Sequence, residues 1–125
     1  MIEFAQRLKR AGCDWIDASS GGLAPGQKIT PGPGFQVPFA EAIRREVGIP
    51  TIAVGLITDP RQAEDIITAG RADMVALARG MLFDPHWAWR AAAELGGEVR
   101  APKQYWRAAP RVAEAIFRDA KIGQR

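Results

Sequence analysis

The sequence predicts an α/β fold on a parallel sheet, and three observations carry that prediction. Stretches with helical and strand-like patterning alternate along the chain. Two short apolar runs, 51–55 and 74–78, stop in small residues and hand over to helix starts. Glycines close the helices between them. The resulting order, αβαβαβα, demands parallel strands joined by right-handed crossovers.

The elements follow in order. The chain opens on a helix with Ile2, Ala5 and Leu8 on one face, closed near Gly12. Trp15-Ile16-Asp17-Ala18 reads as the first strand. A long irregular stretch, Gly21 to Pro38, is crowded with glycine and proline; it is either a cofactor-side lid or an ordered connection. Gly32-Pro33-Gly34 inside it is not a dinucleotide fingerprint, because the third glycine is missing and no strand leads into it. The next helix spans about 39 to 47, with Phe39, Ala40, Ile43 and Val47 on one side. After strand 51–55, Asp59-Pro60 supplies an N-cap and a first-turn proline, opening a helix whose Ala63, Ile66 and Ile67 face inward until Gly70. Strand 74–78 follows. Asp84-Pro85 repeats the start signal for a helix with Ala88, Ala91, Ala92 and Leu95 on one face, ended by Gly96-Gly97. Beyond Pro110, the residues Val112, Ala113, Ile116, Phe117 and Ala120 make one amphipathic helix face, which covers the chain's own core or docks on a partner.

Composition bounds the class. Of 125 residues, 47% are hydrophobic and 25% charged, as in folded soluble domains, and no apolar run approaches the roughly 18 residues of a membrane span. No signal peptide is visible at the start, and the single cysteine, Cys13, allows no internal disulfide, so a cytoplasmic location is expected. The formal charge of +3 belongs to the tail: residues 1–96 carry ten Lys/Arg against eleven Asp/Glu, and residues 97–125 seven against three. Those basic residues are scattered among apolar ones, so a solvated helix face is expected in place of a nucleic-acid patch. Domain limits follow the same break, with 1–97 forming the α/β part and 98–125 a basic tail with an amphipathic helix.

The two strand ends carry the chemistry. Thr51-Ile52-Ala53-Val54-Gly55 and Asp73-Met74-Val75-Ala76-Leu77-Ala78-Arg79-Gly80 have the outline of a phosphate grip. In parallel barrels the loops after the last two strands present backbone N–H groups to a phosphate, and an arginine adds a fixed bidentate charge. Gly55 is equally explained as a tight-turn glycine. Arg79, read on its own, is a surface residue or an anion ligand. Ser19 and Ser20 end the first strand; their hydroxyls cap a turn or face a ligand.

Five segments add a more specific signal. Ile16–Gly22, Ala53–Thr58, Gly70–Arg79, Leu82–Pro85 and Ala101–Arg107 resemble, in order and spacing, the C-terminal part of the old yellow enzyme family, closest to its bacterial, thermophilic-like class. The likeness covers roughly residues 1–107. It implies a partial TIM (β/α)8 barrel, its C-terminal half, with about three parallel strands. Since a complete barrel takes about 250 residues, the expectation is that the chain begins inside the fold.

The resemblance also implies roles. The family reduces activated alkenes such as enones with FMN, using NADH or NADPH as reductant. Ser20, Gly55, Ala78 and Arg79 fall at cofactor positions, the last two where the family has a phosphate-binding glycine and arginine. The alanine keeps the N–H but adds a Cβ and disfavours a positive φ. Arg107, in Gln104-Tyr105-Trp106-Arg107, resembles an arginine that reaches the neighbouring subunit's active site, and the adjacent Tyr105 and Trp106 suit a contact surface. No catalytic residue and no metal ligand carries over. Cys13 is expected to pack as a small hydrophobe and His86 to lie exposed in a first helical turn. Open sheet edges imply self-association or a complementing half-barrel chain, with no nucleic-acid or membrane partner. Two other readings stand beside the enzyme: a noncatalytic half-barrel fragment or assembly module, and another phosphate-binding barrel enzyme.

Overall fold

In the computed structural model residues 1–109 and 116–118 are described. The chain divides into two units, residues 1–82 and residues 83–125.

The first unit is built on three short parallel strands, β1 (Ile16–Ala18), β2 (Thr51–Ala53) and β3 (Met74–Val75), in the order β1-β2-β3. Ile16 lies opposite Thr51, and Ala53 opposite both Ala18 and Val75. Each strand is fed by a helix: α1 (Ile2–Arg10), α2 (Val37–Val47) and α3 (Pro60–Thr68). A short helix, α4 (Arg79–Phe83), follows β3. The predicted α/β class with about three parallel strands is therefore present. The runs 51–55 and 74–78 leave the ladder sooner than the sequence suggested, with a last bond from Ala76 N–H to the Ala53 carbonyl at 2.8 Å.

Local chemistry explains the boundaries. The Asp59 carboxylate accepts the Gln62 N–H at 2.8 Å, and Pro60 fills the first helical position, as the sequence indicated. α2 ends at Gly48 in the left-handed conformation that only glycine adopts at little cost, and Lys9 Nζ donates to the Val47 and Gly48 carbonyls left over there. Two helix faces turn differently from expectation. In α2 the buried residues are Val37, Ala40 and Ile43, which share one face at three-residue spacing, while Phe39 lies off that face and is partly exposed.

The core of the unit lies between sheet and helices, where Ala5, Val37, Ala40, Ile43, Ile49, Ala53, Ile57, Ala63 and Ile66 are buried. At the entry end of the sheet, Asp73 holds two strands together. Its carboxylate accepts the Thr51 N–H at 2.9 Å and both contacts of Arg44 Nε at 3.1 Å, while its own N–H donates to the Thr51 carbonyl at 3.0 Å. Arg44 also donates to the Gly70 carbonyl at 2.9 Å. The Thr51 hydrogen bond first, then Arg44, hold the Asp73 carboxyl below the ordinary carboxylate value, outweighing its desolvation. Cys13 is exposed, not packed, with its thiol directed at the Trp15 carbonyl.

The second unit contains α5 (Trp87–Leu95) and a 3-10 helix, η1 (Lys103–Ala108). Asp84-Pro85 does not cap α5 as expected: His86 stands at the cap, and the Asp84 carboxylate takes the His86 N–H at 3.1 Å and Arg90 Nε at 3.0 Å. The buried residues of α5 are Trp87 and Ala91, with Ala88 and Leu95 exposed, a rotation of the predicted face. Trp106, Ile116 and Phe117 form the core here, against Trp89, Ala92, Ala93, Val99, Ala101 and Ala109. Of the predicted tail helix, Val112, Ala113 and Ala120 lie outside the described residues. Phe117 makes a single parallel bridge with Val99.

Candidate functional site

Three of the sequence-predicted residues meet in one place. Gly55, Ala78 and Arg79 line a cavity of about 140 Å³ at the exit ends of β2 and β3, together with Phe35, Gln36 and Thr58. Two adjacent parallel strands stopping side by side bring these loops together, since both crossovers must return over the same edge of the sheet.

The backbone there is shaped for close approach. Gly55 has φ +120°, and a Cβ at this position would stand 3.1 Å from the Phe35 ring and 3.2 Å from Gln36 Cγ. Conformation favours glycine here, and a Cβ would press on both neighbouring side chains. Leu56 follows at φ +53°, the one non-glycine among the described residues with positive φ. A leucine held in that region stores strain, which persists when surrounding structure over-determines it. The Gly34 N–H donates to the Gly55 carbonyl at 2.7 Å and fixes the turn. Ala78 is absent from the positive-φ positions, so its side chain causes no backbone conflict. Its carbonyl accepts the Met81 and Leu82 N–H groups at 3.1 Å and starts α4.

Arg79 is exposed at the cavity's rim and makes no ion pair with any described residue. By contrast, Arg44, Arg71 and Arg90 are each paired with a carboxylate. A guanidinium left uncommitted beside a strained, glycine-lined turn is suited to an anion with several oxygens.

Ser20 does not line this cavity. It is exposed beside a separate hollow of about 300 Å³ between α1, β1 and α2, with Met1, Phe4, Phe39 and Ile43. The link between the two places is Gln36, whose side-chain oxygen accepts the Ser20 N–H. Gln36 is a buried polar residue, 5% exposed, and sequence reading overlooked it. Its signal was faint: one amide between two apolar residues, Phe35 and Val37, at the close of a glycine-proline loop. That stretch packs on Gly55 and, over Gly34–Gln36, is an ordered connection.

Arg107 belongs to the second unit and is exposed. Its neighbour Trp106, expected at a contact surface, is instead buried, with its indole N–H donating to the Ala101 carbonyl at 3.0 Å. Tyr105 stays half-exposed and meets Trp89 edge to face at 5.3 Å. The second unit also holds a larger cavity of about 680 Å³, lined by His86, Trp89, Tyr105 and Phe117 among others. Its charges neutralise one another: Arg90 donates to Asp84 and Glu94, each at 3.0 Å, and both bonds raise the arginine's pKa. His86 is exposed, as expected, and its ring lies 4.6 Å from that of Trp89. Size alone would favour this cavity; the uncommitted charge and constrained backbone favour the smaller one.

Comparison with known proteins agrees with the sequence resemblance. Residues 4–98 match the NADH:flavin oxidoreductase / NADH oxidase family. The chain belongs to that family. It is 52% identical to an NADPH dehydrogenase of Geobacillus thermodenitrificans over 106 residues, 85% of this chain and 31% of that protein. NADPH dehydrogenases of Halalkalibacterium halodurans, 50% identical over 107 residues, and Listeria monocytogenes, 48% over 109, each share 86% of this chain and 31% of their own length. This member of the flavin oxidoreductase family therefore spans about a third of the length of these relatives. Among the described residues, no helix is long and apolar enough to cross a membrane.

Proposed function

We propose that this chain is the FMN-phosphate-binding part of an NAD(P)H-dependent flavin oxidoreductase. The observation that supports it best is the meeting of Gly55, Ala78 and Arg79, which makes no ion pair with any described residue, around one cavity at the exit ends of β2 and β3. In this reading the sheet is part of a (β/α)8 barrel, whose phosphate sites occupy this position after the last strands.

The residues present suit the cofactor. Arg79 supplies a guanidinium to the phosphate, and the Cβ-free edge of Gly55 lets backbone come close to it. Ala78 offers its N–H from an ordinary backbone conformation. Ser20, at the end of β1, stands on the flavin side. Bound FMN would supply hydride transfer from NADH or NADPH to an activated alkene such as an enone. This chain's own share is to anchor and orient the cofactor, and no acid, base or nucleophile is assigned to it. Arg107 is assigned to a neighbouring subunit's site, in a homo-oligomer or a barrel completed by a second chain. The cytoplasm, where reduced nicotinamides are held, is the compartment this reading requires.

The test is an FMN titration of the chain by flavin fluorescence beside Arg79→Ala. Saturable binding weakened about 10- to 100-fold by the substitution is expected, the range for losing a hydrogen-bonded charge partner. Equal binding by both proteins would overturn the assignment of Arg79. A folded chain that binds no FMN would favour the alternative, a noncatalytic half-barrel module.

A further inference from the structure

We propose that Gln36 is the positioning residue of the site: its side-chain amide holds the end of β1 to a segment that Gly34 bonds to the turn at Gly55, and so sets the distance between the phosphate cradle and the flavin-side loop. The inference rests on the cradle reading above.

A buried amide has to be satisfied, and this one is satisfied in a revealing way. Gln36 is 5% exposed, and its Oε1 accepts the backbone N–H of Ser20, sixteen residues away. Because the donor is a backbone N–H, the amide's oxygen must face β1, which fixes the orientation of the group. The Gln36 Cγ meanwhile stands where a Cβ on Gly55 would meet it, 3.2 Å away, and the residue lines the Gly55–Arg79 cavity. One side chain therefore bonds the end of β1 while lining the same cavity as the Gly55 turn.

Among the described residues no other hydrogen bond joins the end of β1 to the Gly55 turn. The ladder stops at the Ala18–Ala53 pair, and the Gly34 N–H reaches the Gly55 carbonyl but not β1. Ser19 and Ser20, both exposed, would be free to move relative to Gly55 without Gln36. A hydrogen bond at a buried site carries more weight than one in water, since its loss leaves a partner unpaired.

A small and a large ligand separate positioning from direct contact. Inorganic phosphate would engage the Gly55–Arg79 cradle alone, whereas FMN would extend toward β1. Gln36→Met keeps the length and packing of the side chain but has no acceptor for the Ser20 N–H. The expected result is phosphate affinity within about twofold of the parent, FMN affinity down about tenfold, and Ser20 amide exchange about tenfold faster. Gln36→Glu keeps the acceptor oxygen, so Ser20 protection and the ratio of FMN to phosphate affinity stay as in the parent, with charge repulsion lowering both affinities together.

Unchanged FMN binding in Gln36→Met would overturn the proposal. So would equal losses of phosphate and FMN, which would mark Gln36 as a general packing residue or a direct phosphate ligand. Should Gln36→Met fail to fold, a ratio that falls in Gln36→Glu while Ser20 stays protected would overturn it equally. Arg79→Ala that binds both probes like the parent would instead sink the cradle reading, and Ser20 exchange in the Gln36 variants would still report on the tie to β1.

Discussion

The two ends of one three-stranded sheet are built to opposite specifications. At the entry end charges pair across elements: Asp73 accepts the Thr51 N–H and Arg44, Arg44 also donates to the Gly70 carbonyl, and Lys9 closes α2. At the exit end Gly55 sits at φ +120°, Leu56 at φ +53°, and Arg79 makes no ion pair with any described residue. The difference teaches where free energy is held back. Hydrogen bonds at the entry tie β2 to β3, and in the proposed reading the strain and the charge at the exit serve a ligand.

The sharpest way to break this contrast is at Gly55. Gly55→Val places a β-branched residue at a positive φ and drives its Cβ into Phe35. We expect a loss of about 3 kcal/mol or more in urea unfolding, the sum of backbone strain and overpacking. A loss below about 1 kcal/mol would mean that the turn relaxes and glycine is not required.

Asp73→Asn probes the other end. The variant keeps an acceptor for Thr51 but weakens both bonds, and the pair with Arg44 is well solvated, so about 1 kcal/mol is expected. Since the folded pKa is lowered, this stability is present above the unfolded value of about 4 and is lost as pH falls through the folded value. Parent and variant should therefore differ by a constant amount above the unfolded value and converge only as pH falls below the lowered folded value. A difference that persists into acid would sink the electrostatic account.

The smallest effect sharpens the same comparison from inside. Thr51 is wholly buried and its hydroxyl has no hydrogen-bond partner among the described residues. Thr51→Val removes an unsatisfied polar group at nearly constant shape and should stabilise the fold by up to about 1 kcal/mol. Destabilisation would show that the hydroxyl finds a partner, such as an ordered water.

The sequence was most legible where one residue acts through its own backbone. Asp59-Pro60, Gly48 and Gly96 signal helix ends locally, and the apolar runs before Gly55 and Arg79 announce strands by composition. Gly55 and Arg79 were found because each closes such a run. What escaped depends on residues distant in sequence. Gln36 acquires meaning only when α2 brings it against Gly55 and Ser20, and Asp73 reads as a surface charge until β2 lies beside it. Spacing puts Phe39 inward and aromatic character puts Trp106 outward, yet neither says which face of a helix meets the sheet or what an indole packs on. Asp84-Pro85 has the form of a cap, yet its carboxylate is drawn to Arg90.

The most direct test of the central claim, that the exit end grips a phosphate, compares FMN with riboflavin, which lacks the phosphate and is otherwise the same. Titration of the chain with each should give FMN at least about tenfold tighter, the preference shrinking in Arg79→Ala. Equal affinity for the two would contradict the claim and leave the strained turn without the ligand assigned to it.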